Sequence, residues 1–172
     1  NYSGAVRRLN AIAAELAELD PAAAPSFVLN GLRREELIAA NSMILHEVYF
    51  ASLGGTSLGG KGEAGGDLAA AIERDFGNLA RWRSEFAAMG RALGGGSGWV
   101  ILAWSPRDRR LVNQWAADHT QVLAGSVPIV ALDMYEHAYH IDFGARAAAY
   151  VDAFLRNIDW PAASRRFAVA LG

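Results

Sequence analysis

The sequence predicts an α+β fold, in which an N-terminal antiparallel helical hairpin precedes a small three-stranded antiparallel sheet flanked by helices. Three observations support this prediction. Apolar residues recur at helical spacing through the first third of the chain, and short apolar runs of strand length follow between residues 99 and 132. The strand segments also cluster between helices instead of alternating with them, which favours α+β over a parallel α/β arrangement.

The first third of the chain contains two predicted helices. The first covers residues 1–19, where an Asp-Pro pair ends it, and the second covers about residues 33–53. A glycine-rich stretch then begins at Gly54 and is the best candidate for a domain boundary. We therefore expect an N-terminal helical hairpin domain over residues 1–60 and a C-terminal α/β domain over residues 61–172.

The C-terminal part is predicted to hold two helices, three strands and two further helices. In chain order we expect helices at 67–74 and 76–93, strands at 99–104, 111–116 and 127–132, and helices at 135–158 and after Pro161. Asp67 is the expected cap of the first of these helices. The segment Ser105–Arg109 contains Pro and Asp and is typical of a hairpin turn between the first two strands.

The composition excludes several classes of function. The 172 residues include no Cys, so disulfides, thiolate catalysis and Cys-ligated metal sites are ruled out. The formal net charge of −2 provides no basic field to hold nucleic acid or an anionic membrane. No apolar stretch approaches the roughly 20 residues of a membrane-spanning helix. We expect a cytoplasmic protein and, because residue 1 already lies in a predicted helix, a chain that begins upstream of Asn1.

Asp133 and His137 form a candidate metal site. They stand at positions i and i+4 where a predicted strand passes into a helix, so a carboxylate oxygen and an imidazole nitrogen can converge on one point. A hard carboxylate combined with imidazole suits Mn, Fe or Zn. The alternative is a helix-capping Asp followed by a hydrogen-bonded core His. His46, on an apolar helix face, has the same two interpretations, as a ligand or as a neutral core residue.

Four segments together resemble the iron/manganese superoxide dismutase family. The run from Asp133 to Tyr139 resembles the family's Asp-x-Trp-Glu-His-Ala-Tyr signature, and Gly96–Trp99 resembles its Gly-Ser-Gly-Trp. The helix around His46 resembles the family's Asn-His-x-x-aromatic-aromatic helix, and Asn157–Trp160 resembles its Asn-x-x-Trp ending. The resemblance runs over essentially the whole chain.

The resemblance implies a metal site and an activity. It makes His46, Asp133 and His137 three of four ligands to one Fe or Mn ion per subunit, and it puts the fourth, a His, ahead of Asn1. The implied reaction is disproportionation of superoxide to O₂ and H₂O₂ in a homodimer or higher homo-oligomer. The alternative is a non-catalytic dimer of the same fold with a degenerate or incomplete metal site.

The resemblance also assigns residues around the metal. His119 is the expected partner of the metal-bound solvent, with Gln114 as its rival, and Glu136 is expected to reach the other subunit's ligand His. Tyr135 stands where the family has Trp. The family's gate to the metal is altered, since its His, its Tyr on the first helix and its second Tyr correspond to Asn1, Ala5 and His140. Trp99 and Arg146 are also expected among the residues that surround the metal ligands or the dimer contact.

Overall fold

The computed structural model describes residues 2–54 and 63–172. The chain divides into two compact units, one up to Glu47 and one from Val48 onward. Asn1 and the expected boundary between residues 60 and 61 lie outside the described residues. The division into two domains at that boundary therefore stays a prediction.

The N-terminal helical hairpin is confirmed. Helix α1 spans Tyr2–Glu18 and helix α2 spans Ser26–Ala51, so α2 starts directly after Pro25 and earlier than predicted. Pro25 allows this early start, because it lacks an N–H that a helix would have to satisfy and its carbonyl accepts the first bonds of α2. The antiparallel arrangement is tied at one end by the Tyr2 hydroxyl, which donates to Glu47 Oε1 at 2.9 Å.

The three-stranded antiparallel sheet is also confirmed. Strands β1 (Trp99–Ser105), β2 (Arg110–Ala116) and β3 (Val127–Asp133) lie in the order β2-β1-β3, and every residue of the central β1 is buried. In this register, Trp99 pairs with Ala116 on one side and with Asp133 on the other. A Pro residue, Pro128, is accommodated because β3 is an edge strand and a register shift occurs beside it.

Gly98 determines how β1 begins. Its φ of +137° is a conformation that L side chains rarely adopt, and a Cβ there would lie 2.3 Å from the carbonyl oxygen of Ala116. The Gly98 carbonyl also accepts a hydrogen bond of 2.9 Å from the backbone N–H of Met134, just past the end of β3. A glycine at this position therefore lets the start of β1 lie close to the end of β2 at Ala116.

In the second unit, the sheet packs against α3 (Gly66–Phe76), α4 (Leu79–Ala92) and α7 (Trp160–Leu171), and α6 (Ala147–Arg156) packs against α4. The α3 cap is Gly65, so the expected cap at Asp67 is wrong; that carboxylate lies in the first helical turn, where the helix dipole favours it. The core between these helices is aromatic, with Trp82, Phe86, Phe154 and Trp160 all buried.

The single long helix predicted over residues 135–158 is wrong. The segment begins with a 3₁₀ turn, Glu136–Ala138, followed by the one-turn helix α5 (His140–Phe143) and then by α6. Gly144 separates α5 from α6 because its φ of +57° ends the helical path there. Within residues 2–54 and 63–172, no helix is long and apolar enough to cross a membrane.

Candidate metal centre

Asp133 is a buried carboxylate held at the end of β3. Only 1% of the residue is exposed, and its Oδ1 accepts a hydrogen bond of 2.9 Å from the backbone N–H of Tyr135. Its backbone carbonyl accepts a second bond, of 2.8 Å, from the Tyr150 hydroxyl. A buried carboxylate is costly unless charge or hydrogen bonds compensate it, so this position calls for a cationic partner.

His137 supplies a nitrogen beside that carboxylate. The residue lies in the 3₁₀ turn, and its Nε2 is 3.2 Å from Asp133 Oδ2. Two ligand atoms bound about 2.1 Å from one ion at adjacent positions are about 3 Å apart, so this pair fits a shared metal. Since a carboxylate oxygen only accepts, the contact without an ion needs a proton on Nε2, which a metal ion would replace.

His46 lies on α2 in the N-terminal unit and is buried. Its Nδ1 is 2.6 Å from the backbone carbonyl of Ser42, one helical turn earlier. Because a carbonyl only accepts, Nδ1 carries the proton of the neutral ring, and Nε2 is the nitrogen with a lone pair suited to a metal. Backbone carbonyls commonly orient metal-binding His residues in this way.

Trp99 fixes the tautomer of His119. The buried indole Nε1 of Trp99 donates to His119 Nδ1 over 3.0 Å. An indole can only donate, so Nδ1 of His119 is the acceptor and the neutral ring carries its proton on Nε2. His119 therefore presents an N–H donor, as a side chain that hydrogen-bonds a metal-bound solvent molecule requires.

Tyr135 lies between two of the histidines. Its ring stacks on His119 with centroids 5.1 Å apart and on His137 with centroids 5.5 Å apart. Burial raises the pKa of Tyr135, and the nearby carboxylates of Asp118 and Asp133 raise it further. The phenol thus remains neutral and forms an aromatic wall where the family's signature has Trp.

Gln114, the rival of His119, has other contacts. Its Nε2 donates to the backbone carbonyl of Gln121 over 3.4 Å, and the side chain lines an open cleft of about 510 Å³ together with Arg110, Val112 and Leu123. Trp99 lies against Tyr135 and His119, with centroids 6.2 Å and 5.7 Å from theirs. Trp99, His119 and Tyr135 thus form one aromatic group, and Tyr135 in turn stacks on His137.

Three of the other expected site residues lie on the surface. Glu136, His140 and Arg146 are exposed, and Arg146 Nε donates to the carbonyl of Phe143. Ala5 is buried on α1 within the N-terminal unit, and Asn1, the other altered gate position, lies outside the described residues.

Two tyrosines near Asp133 were missed by the sequence analysis. The hydroxyls of Tyr150, on α6, and Tyr49, on α2, are 3.1 Å apart. Burial is the main reason why the pKa of each phenol is raised, with Asp133 adding to the effect on both. The sequence did contain a signal, because both Tyr residues stand on apolar helix faces. A buried Tyr usually has a hydrogen-bond partner for its hydroxyl.

Comparisons with known proteins identify the family to which this chain is similar. Residues 64–166 match the family described as iron/manganese superoxide dismutases, C-terminal domain. Over 171 residues the chain is 67% identical to "Superoxide dismutase [Fe]" of Cupriavidus metallidurans, covering 99% of this chain and 84% of that protein. It is 34% identical to "Superoxide dismutase [Fe]" of Aquifex pyrophilus, over 99% of this chain and 80% of that one.

A manganese relative is also similar. "Superoxide dismutase [Mn] 2" of Halobacterium salinarum is 40% identical over 117 residues, which cover 67% of this chain and 56% of that protein. These matches define a redox metal protein. The chain belongs to the iron/manganese superoxide dismutase family.

Proposed function

We propose that this protein is a superoxide dismutase that uses iron. The observation that carries the proposal is its 67% identity, over 99% of the chain, to a protein named as the iron enzyme. A bound metal would supply one-electron chemistry, in which one superoxide is oxidised to O₂ and a second, with two protons, is reduced to H₂O₂. The non-catalytic alternative is not supported by the relatives, which are named as superoxide dismutases.

Three side chains of this chain are the proposed metal ligands: His46, Asp133 and His137. The contact of Asp133 Oδ2 with His137 Nε2 and the tautomer of His46 support the proposal. Asp133 provides the anionic donor, and its burial excludes water from that side of the site. Because Nδ1 of His46 is hydrogen-bonded to the backbone carbonyl of Ser42, Nε2 is the nitrogen whose lone pair would bind the metal.

His119 is proposed to donate a hydrogen bond to the solvent molecule that a bound metal would carry. Its Nε2–H is a donor because Trp99 occupies Nδ1. Tyr135, stacked on the ring, limits how far the imidazole can rotate. This donor acts on the charge of the solvent molecule without adding a ligand to the metal.

His140 is proposed to act in the gate through which superoxide enters. The family has Tyr at this position, so this chain has an imidazole in place of a phenol. The exposure of His140 is consistent with a role near solvent. We expect His140→Tyr to change the rate of superoxide turnover at unchanged metal content. Equal turnover in both proteins would assign His140 to the surface alone.

A homodimer or higher homo-oligomer is the proposed assembly. Ile141, which follows His140 on α5, is 93% exposed, and a large apolar side chain in such a position favours contact with another chain. Glu136 is proposed to accept a hydrogen bond from the partner's copy of the ligand His137, and Arg146 is proposed to lie near the same contact. Sedimentation of Ile141→Glu beside the parent checks this, since a monomeric parent would exclude it.

Metal analysis and a turnover assay test the proposed activity. The purified protein should contain close to one iron per chain and consume superoxide. Reconstitution of the metal-free protein with iron and, separately, with manganese then compares the two metals. Higher turnover with iron supports the iron assignment, and turnover with manganese alone would assign manganese. Metal uptake without turnover would support the non-catalytic alternative.

A cytoplasmic location stays a prediction, which cell fractionation tests.

A further inference from the structure

Tyr150 makes a buried hydrogen bond that the proposed reaction does not use. Its hydroxyl lies 2.8 Å from the backbone carbonyl of Asp133 and 3.1 Å from the hydroxyl of Tyr49. A hydroxyl has one proton and a carbonyl can only accept, so Tyr150 donates to Asp133 and accepts from Tyr49. Both tyrosines are buried.

The bond constrains the proposed ligand through its backbone. The peptide unit between Asp133 and Met134 is planar, and its two polar groups are both held. Tyr150 holds the carbonyl, and Gly98 accepts a bond of 2.9 Å from the Met134 N–H. On the other side of its Cα, Asp133 is paired with Trp99 in the sheet. These constraints together fix the direction in which the Asp133 side chain leaves the backbone.

The ring of Tyr150 is itself fixed. It stacks on Tyr139 with centroids 5.1 Å apart, and Phe143 packs against it at 5.8 Å. Tyr139 follows the 3₁₀ turn that carries His137. One side chain on α6 thus contacts the segment that bears His137 and the strand end that bears Asp133.

We propose that Tyr150 is a positioning residue for the metal centre, which orients the Asp133 carboxylate through the hydrogen bond to its backbone carbonyl. The inference rests on the proposed function, because it takes Asp133 to be a metal ligand. Loss of the hydroxyl should let the Asp133–Met134 peptide unit rotate and misdirect the carboxylate. Outer groups that orient metal ligands commonly change metal affinity by about 10- to 100-fold.

Tyr150→Phe in the iron-loaded protein is the primary test, because it removes the hydroxyl and keeps the stacked ring. We expect the iron to be lost to a chelator roughly tenfold faster. The electron paramagnetic resonance spectrum of the ferric protein should also change. The Tyr49→Phe variant keeps the Tyr150 bond to Asp133 but loses the hydroxyl that donates to Tyr150. Its rate of iron release should therefore lie between those of the parent and Tyr150→Phe.

Ser52→Ala is the control for a purely structural effect. Ser52 is buried, and its hydroxyl donates to the carbonyl of Val48 at 2.6 Å. The variant should lower the melting temperature of the metal-free protein while leaving the ferric spectrum and iron release as in the parent. If Tyr150→Phe behaves as Ser52→Ala does, the positioning role is overturned.

Two further outcomes are decisive. If Tyr150→Phe does not fold, Tyr150→Met, which also lacks the hydroxyl, decides: iron release faster than in Ser52→Ala supports the proposal, and equal release overturns it. The proposed function fails separately, if Asp133→Ala keeps its iron. In that case the carboxylate is not a ligand, whatever the tyrosine variants do.

Discussion

Asp133 and His137 are four residues apart and have opposite surroundings. The Asp133 side chain is 1% exposed, whereas 40% of the His137 side chain is exposed. Asp133 ends a strand and has backbone and side-chain partners on β1, α6 and the following turn. His137 lies in a 3₁₀ turn, stacks on Tyr135 and lies against Asp133. The carboxylate is thus buried at the end of a strand, whereas the imidazole is partly exposed in a turn.

Asp133→Ala should have the largest effect. It deletes the anionic ligand of the proposed set, so we expect metal affinity to fall at least about a hundredfold. Loss of a residue that only orients a ligand lowers metal affinity by up to about that factor. The metal-free protein should also lose stability, because Tyr135 loses its acceptor. Metal analysis and thermal unfolding of the metal-free form measure both.

Two variants sharpen this contrast. His137→Ala should lose metal as well but leave the melting temperature of the metal-free protein near that of the parent, since the side chain is partly exposed. Asp142→Ala, which removes an exposed carboxylate of α5, should change neither. Equal destabilisation by Asp133→Ala and His137→Ala would contradict the difference drawn between the two residues.

Arg166→Ala tests whether hydrogen bonds from α7 stabilise β3. The Arg166 guanidinium donates to the carbonyls of Ile129 on β3 and Ala51 at the end of α2, and to the Ser52 hydroxyl. Burial lowers the pKa of Arg166, with Asp159 opposing the shift. Because bonds from a charged donor are lost, we expect the free energy of unfolding to fall by about 3 kcal/mol.

The control for Arg166 is its neighbour. Arg165 is exposed, and Arg165→Ala should change the free energy of unfolding by less than about 0.5 kcal/mol. Denaturant unfolding of both variants measures the difference. If Arg166→Ala is as stable as Arg165→Ala, the hydrogen bonds of Arg166 do not stabilise β3.

His119→Ala should affect the redox potential more than the metal content. The donor acts on metal-bound solvent, so its removal should shift the potential by on the order of 60 mV, a tenfold change for one electron. Gln114→Ala is the matched control, because Gln114 was the rival for the same role. If the Gln114 variant shifts the potential and the His119 variant does not, the assignment reverses.

Tyrosine titration should show the smallest effect. Burial raises the pKa of Tyr49 and Tyr150, so both stay protonated in the folded protein where an unfolded chain ionises, near pH 10. Above that pH the unfolded state binds fewer protons than the native state, and the free energy of unfolding falls as pH rises. Absorbance of tyrosinate with and without denaturant measures this. A tyrosinate that forms near pH 10 in the folded parent and is missing from Tyr150→Phe would contradict it.

The sheet could be predicted more closely than the helices after it. Each predicted strand begins or ends within one residue of β1, β2 or β3, because apolar runs bounded by turn residues define strands well. The helix predicted across 135–158 failed because apolar spacing continues through Gly144, where the backbone changes direction. A local conformation of this kind leaves little trace in hydrophobic periodicity.

The site could be predicted only in part for a related reason. Spacing along one segment brings Asp133 and His137 together, and the structure agrees at 3.2 Å. The tautomer of His119 depends on Trp99, and the orientation of Asp133 depends on Tyr150, and both partners are distant in sequence. Such partners follow from the tertiary fold, which residue spacing does not encode.

A crystal structure of the iron-loaded protein, with anomalous diffraction recorded at the iron edge, tests the central claim most directly. We expect one anomalous peak per chain, within bonding distance of Asp133 Oδ2 and of the Nε2 atoms of His46 and His137. Absence of a peak there, with Asp133 and His137 still hydrogen-bonded to each other, would contradict the proposed metal centre.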